Sequence, residues 1–470
     1  MGKLIIIIAI CLAGQLTFAQ TVTQKIIKAY QQFENDPQLK HAIASLYVID
    51  ATTGKVVFDK NSMVGLAPAS SQKIITAATA FELLGVDYRY KTEFGYAKDL
   101  HVDLENYFIV GSGDPTLGSW RYKSTADTII LRNFFDALKR KTKDKNIKLV
   151  INDVLNDIPD GWIWQDIGNY YGASSSNLNW NENQYNLVFK SGKPKTLTEV
   201  VNADPNIPNI VFNNQVISGN EGSGDSAYIY FSTHNDTILI KGTIPPNKDK
   251  FSISGAMPDP TTIFLDKMKN YFSDIKRIFP VEISTIIRKP FRGSPIDMLP
   301  GVGVSATETL YTHYSPSLDS IVYWFLKKSI NLYGEALIKT FNKNRSGLGS
   351  RESGIAYLKD FWKQKQLDPD ELNIYDGSGL SPLNRITTHA QVEILKYAKK
   401  QNWFNYFYDA LPEYNGMKLK SGTISDVKAF CGYYKSKDGR EYILSFIVNN
   451  YAGISSTLVN KMYRVLDSLK

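Results

Sequence analysis

Cysteine is almost missing from this 470-residue chain: there are two, Cys11 and Cys431. Cys11 lies inside an N-terminal segment that reads as a signal peptide, Met1 to Ala19, with Lys3, an apolar core Leu4–Leu12, and Thr17-Phe18-Ala19 before Gln20. Its removal leaves Cys431 alone, which excludes an internal disulfide framework. Histidine is scarce too, and the five present show no metal-ligand spacing, so no metal or cofactor is expected. Lys and Arg outnumber Asp and Glu, for a net charge of +8, yet they form no long basic block, which argues against a nucleic-acid partner. The leading apolar core is too short for a membrane anchor, and no later run is long enough to span a bilayer. Cys11 follows Ile10, where a bacterial lipoprotein site wants a small residue, which disfavours lipidation. An exported, periplasmic protein is expected.

What remains is globular: 43% hydrophobic and 12% aromatic residues, at a length suited to two or three domains. Thr21–Asp36 reads as a helix. Ala42–Asp50 and Lys55–Asp59 read as a hairpin across Thr52-Thr53-Gly54. From Tyr88 to about Pro295 short strand-like runs alternate with Gly/Asn/Asp/Pro turns, and helical runs are few. Helices return from Ser315, and Ala429–Tyr434 with Tyr442–Asn449 form a second hairpin around Lys437-Asp438-Gly439. The expected organisation is an α/β (α+β) domain made of residues 20–90 and 296–470, interrupted by β-rich insertion at 91–295.

Chemistry enters at Pro68-Ala69-Ser70-Ser71-Gln72-Lys73. With a helix starting near Ser70, positions i and i+3 share a face, so the Lys73 amine can lie beside the Ser70 hydroxyl. A serine needs a base to become a nucleophile, and a lysine is one only when burial and other cations lower its pKa. Alone the pattern is weak, since Ser273-x-x-Lys276 and Ser425-x-x-Lys428 also match. The default reading of such a match is an ordinary helix start.

Two further elements join it in chain order. Ser329-Ile330-Asn331 sits between two helical runs; its hydroxyl can relay a proton and its amide can bind a peptide backbone. Lys420-Ser421-Gly422-Thr423 leads into the second hairpin and offers a cation, hydroxyls and a close backbone approach at Gly422 for a carboxylate. Each has decoys (Ser175-x-Asn177, Ser218-x-Asn220, Lys190-Ser191-Gly192), and each alone would more often be structural. Their order makes coincidence a poor explanation.

Ser-x-x-Lys, Ser-x-Asn and Lys-Ser-Gly together resemble the motif set of penicillin-binding proteins and serine β-lactamases. Within it the chain is similar to the D-alanyl-D-alanine carboxypeptidase/endopeptidase branch, the low-molecular-mass class C (type-4, DacB-like) penicillin-binding proteins. The likeness extends through Gly111-Ser112-Gly113-Asp114-Pro115-Thr116-Leu117, Leu178–Asn183, His313–Leu318 and Asp376-Gly377-Ser378-Gly379-Leu380-Ser381. The gap of 329 − 70 = 259 residues between the first two motifs is far longer than in a compact β-lactamase. Ile330, Ser421 and Gly334 depart from the usual residues without removing a reacting group.

The resemblance implies a transpeptidase-like domain with β-rich inserts, acting on peptidoglycan stem peptides and acylated by β-lactams. It implies Ser70 as nucleophile, Lys73 as base and Ser329 as proton relay. It gives Asn331, Lys420, Ser421, Gly422 and Thr423 to substrate binding, with the backbone N–H groups of Ser70 and Thr423 as oxyanion hole. The Asp376–Ser381 and Gly111–Leu117 motifs are read as tight turns. The competing readings are a serine β-lactamase or esterase with the same residues, and an inactive peptidoglycan-binding scaffold.

Overall fold

The computed structural model describes residues 21–99, 105–141, 146–152, 157–231, 236–274, 282–289, 304–342 and 349–470. The expected signal peptide, Met1 to Ala19, lies outside them. The chain opens with helix α1 (Val22–Glu34), started by a capping box in which Thr21 and Gln24 satisfy each other's backbone N–H groups. Strands β1 (Ile43–Asp50) and β2 (Val56–Lys60) form the first hairpin. Asp50 accepts from Thr52 N and Thr53 N, and Gly54 takes the left-handed conformation that closes the turn.

The two ends of the chain build one antiparallel sheet. Its C-terminal members are β16 (Glu413–Tyr414), β17 (Met417–Ile424), β18 (Val427–Lys435) and β19 (Glu441–Asn449), and the order is β16-β17-β18-β19-β1-β2. Alternation sends Leu46 and Val48 to one face of β1 and Tyr47 and Ile49 to the other, and both faces are buried. The first face meets Ile26, Tyr30 and Phe33 of α1 and Leu458, Met462 and Val465 of the last helix, Ser455–Leu466. Against the second pack α2 (Lys73–Leu84) and the helices Leu318–Lys327, Asn331–Phe341, Arg351–Gln364 and Thr388–Ala398. This is an α/β/α sandwich whose middle layer is apolar on both sides. α2 is buried all round from Lys73 to Phe81, so it is the central helix rather than a surface one.

Between α2 and Ser315 the chain forms a second core. Strands β3 (Lys91–Asp99), β4 (Glu105–Gly111), β5 (Asn146–Asn152), β12 (Glu282–Lys289) and β13 (Val304–Tyr314) make a mixed sheet in the order β12-β5-β4-β3-β13. Helices α3 (Asp127–Lys141) and α5 (Pro260–Asp274), with the one-turn α4 (Trp164–Ile167) between them in sequence, accompany it. Phe94, Tyr107 and Ile109 of the sheet share a core with Phe134 of α3, Phe264 of α5 and Leu187, Ile229 and Ile240 of two three-stranded sheets. Those are β11-β6-β7 and β8-β10-β9, built from β6 (Gln184–Lys190), β7 (Glu199–Asp204), β8 (Val211–Ser218), β9 (Ser226–Tyr230), β10 (Thr237–Ile244) and β11 (Phe251–Ala256). Tyr314 pairs with Lys91, so the chain leaves and re-enters the sandwich at neighbouring points. Residues 304–314, beyond the expected division at 295/296, are the edge strand of this second sheet. The sequence alone predicts no strand at β3, β7, β11, β12 or β13.

Named bonds lock the two parts together. Lys339 donates to the Ser175 carbonyl at 2.7 Å and pairs with Asp157, which also meets Arg351. The Tyr333 hydroxyl donates to Glu182, a fully buried carboxylate that Arg121 and Ser119 also reach.

Candidate active site

Ser70 lies in a 3₁₀ turn, Ala69–Gln72, and the α-helix proper begins at Lys73. Pro68 is helical, and the reversal occurs at Ala69, which holds φ 47°. A non-glycine residue there is strained, and the surroundings must hold it. In a 3₁₀ turn side chains at i and i+3 eclipse, and the Lys73 amine lies 2.8 Å from Ser70 Oγ.

The amine is fully buried, so its other neighbours decide what it can do. It donates to Asn331 Oδ1 at 2.6 Å and to the Ser378 carbonyl at 2.7 Å. Asn331 cannot be turned round, because its Nδ2 donates at 2.7 Å to the Tyr171 carbonyl, which can only accept. A neutral amine has two N–H bonds and one lone pair. With both N–H bonds claimed by obligate acceptors, the lone pair is left for the Ser70 proton. Burial and, after it, the charge of Lys420 hold the Lys73 pKa well below the ordinary lysine value, opposed by Asp376 and Glu335.

The Ser378 carbonyl is placed by Asp376, whose buried carboxylate gathers its own loop. It accepts from Gly379 N at 2.7 Å, Ser381 N at 2.6 Å, Asn384 Nδ2 at 3.0 Å and Trp162 Nε1 at 2.8 Å. Gln72 donates to the Asp376 carbonyl, and Thr76 to that of Gly377. Gly379 has φ +82°, and a Cβ there would come within 2.0 Å of Ala69 O. This loop is a turn, as its sequence predicts, and its backbone also contacts the lysine. Glu335 accepts from Gly377 N, and burial, with Asp376, pushes its carboxyl up to about 7.

Ser329, at φ 57°, sits between Leu318–Lys327 and Asn331–Phe341 and lines a cavity of about 470 Å³ with Ser70, Asn331 and Thr423. The opposite wall comes from the inserted part, including Arg121, Asp166, Tyr171 and Tyr228. Arg121 is held there by Glu182 at 2.8 Å. Burial raises the Asp166 carboxyl above its ordinary value.

β17 runs along the Ser70 turn, with Gly422 at the closest approach: a Cβ would lie 2.4 Å from Pro68 O, 2.8 Å from Ser71 N and 3.0 Å from Ser70 N. Lys420 is buried behind it, its amine donating to the Ser421 carbonyl, and burial brings its pKa down to about 7. Neither Lys420 nor Ser421 is among the residues lining the cavity. The Ser421 hydroxyl donates to Tyr414 Oη at 3.2 Å, and Thr423 accepts from Lys428. Lys428 and Ser425, a decoy pair by spacing, thus lie beside the site, whereas Ser191 of the Lys190-Ser191-Gly192 decoy bonds to Pro245 O in the insertion.

The family model described as D-Ala-D-Ala carboxypeptidase 3 (S13) matches residues 27–413. A D-alanyl-D-alanine carboxypeptidase from Actinomadura sp. (strain R39) is 24% identical over 457 residues, covering 89% of this chain and 80% of the relative. The D-alanyl-D-alanine carboxypeptidase DacB of Haemophilus influenzae is 20% identical over 358 residues, covering 74% and 69%. The crystal structure of penicillin binding protein 4 (dacB) from Haemophilus influenzae superposes with a TM-score of 0.74 at 17% identity, over 94% of this chain and 98% of that one.

Proposed function

Because the chain belongs to the D-Ala-D-Ala carboxypeptidase 3 (S13) family, and is a serine-type carboxypeptidase of it, we propose that Ser70 is the nucleophile and Lys73 its base. The observation that carries this reading is the pair of acceptors on Lys73, Asn331 Oδ1 and Ser378 O, which leaves its lone pair for Ser70. Ser70 Oγ attacks the carbonyl of the penultimate D-alanine in a peptidoglycan stem peptide, and its proton passes to Lys73. Ser329 carries that proton towards the leaving nitrogen, and D-alanine departs as the C–N bond breaks. Water then attacks the ester, again with Lys73 as base, and returns free Ser70.

Asn331 and Gly422 align the acyl-side peptide. Lys420, Ser421 and Thr423 receive the terminal carboxylate, for which the Ser421 hydroxyl must leave Tyr414. The N–H groups of Ser70 and Thr423 stabilise the oxyanion, an interaction worth about 3 kcal/mol in other serine hydrolases. The unit that performs this chemistry is built from the two ends of the chain, with β3 to β13 inserted. One structure of the Haemophilus influenzae penicillin binding protein 4 is complexed with a β-lactam, and we propose that β-lactams acylate Ser70 here. The Met1–Ala19 pattern supports export to the periplasm, and among the described residues no helix is long and apolar enough to cross a membrane.

The test is release of D-alanine from a peptide ending in D-Ala-D-Ala. Wild type should release it, and Ser70→Ala and Lys73→Met should not. Equal release by folded Ser70→Ala would overturn the assignment.

A further inference from the structure

Both acceptors that turn Lys73 towards Ser70 are themselves held by one short segment of the insertion, residues 160–172. The Tyr171 carbonyl fixes the Asn331 amide. At the other acceptor Trp162 is buried, does not line the cavity, and places its single donor 2.8 Å from Asp376 Oδ2. Among the described residues that oxygen has one other donor, Ser381 N, while Oδ1 is served by Gly379 N, Asn384 and, at 3.4 Å, Gln72 Nε2. The loop between Asp376 and Ser381 carries the Ser378 carbonyl onto Lys73.

We propose that Trp162 is a positioning residue for acylation: its indole N–H, through Asp376, holds the Ser378 carbonyl where it directs the Lys73 lone pair at Ser70. The inference rests on the serine-acylation reading above. It makes the insertion part of the base machinery and not only a wall of the cleft. An indole is suited to the task, since it donates once, cannot accept and does not titrate. Losing it leaves one oxygen of a buried carboxylate with half its donors, and the loop must shift or admit water to compensate. The groups facing this chain are Lys73 and Gln72 from the Ser70 turn and α2, Lys420 from β17, Glu335 from Asn331–Phe341, and Asn384. The pH profile therefore reports on the assembly.

Acylation by a fluorescent penicillin, followed by stopped flow from pH 5.5 to 9.5, separates the initial binding constant from the acylation rate constant. Trp162→Phe keeps an aromatic ring and deletes the donor. Its acylation rate constant should fall by about tenfold, with a displaced rising limb and an unchanged binding constant. Replacement of Trp162 by benzothienylalanine deletes the donor within the same shape; it should give the same loss and carries the test if the Phe variant does not fold. A wild-type rate constant and pH profile in a folded variant would overturn the proposal. Failure of the wild-type protein itself to acylate would instead overturn the reading of Ser70 on which it rests.

Discussion

Replacing Gly422 by alanine perturbs the approach of β17 to the nucleophile turn. The new Cβ would stand 2.4 Å from Pro68 O, 2.8 Å from Ser71 N and 3.0 Å from Ser70 N. All three atoms are backbone, so no side chain can swing away. Ordinary contact starts near 3.4 Å, and relief of the tightest clash requires 3.4 − 2.4, or about 1.0 Å, of separation between strand and turn. Overpacking of this kind costs about 1–3 kcal/mol of stability. The effect on chemistry should be larger, because a misplacement of about 1 Å can cost on the order of a hundredfold in rate. Gly65→Ala is the matched control, since its Cβ would meet only Arg385 Cβ at 3.4 Å. Stopped-flow acylation by penicillin, with urea unfolding of each variant, reads both effects. Acylation of Gly422→Ala at the wild-type rate would refute the argument that β17 and the Ser70 turn act as one fitted surface.

Two pH effects follow from buried and paired groups. The Lys420 charge lowers the Lys73 pKa, second to burial, so Lys420→Met should move the rising limb of the acylation pH profile to higher pH; an unmoved limb would leave burial as the sole cause. His389 is raised above its ordinary value, chiefly by its hydrogen bond to Glu371. The folded state binds that proton more tightly, so the stabilisation is complete below about pH 6.5, the unfolded value. It is lost as pH rises through the folded value. His389→Gln should therefore lower the urea midpoint more at pH 5.5 than at pH 8.5, and an equal loss at both would contradict the pairing.

The meeting of these side chains was legible where it rests on fixed spacing and motif order. Ser70 and Lys73 are joined by a local turn, and Asn331 and Thr423 by motifs whose order the chain preserves. The Ser378 carbonyl was illegible because every residue carries a carbonyl, and only the fold decides which one meets a lysine. Asp376 could be seen only as part of a Gly-rich turn; its five-residue reach to Ser381 N and its bond to Trp162, 214 residues away, depend on tertiary placement. Ser421 shows a different limit. The sequence supplies a hydroxyl beside Lys420, but alternate residues of a strand face opposite sides, and here that hydroxyl meets Tyr414. The same gap appears in the fold: the hairpin signals of β1–β2 and β18–β19 are local, whereas β3 and β13 pair across more than 200 residues of chain.

The central claim is that Ser70 becomes acylated with Lys73 as its base, and intact-mass spectrometry tests it most directly. The protein without residues 1–19 is incubated with a penicillin, digested and mapped, beside Ser70→Ala. A stable single adduct on the peptide carrying Ser70, absent from the variant, is the predicted result. No adduct on folded wild-type protein, an adduct on another serine, or rapid loss of the drug without accumulated adduct would contradict it, the last in favour of a β-lactamase.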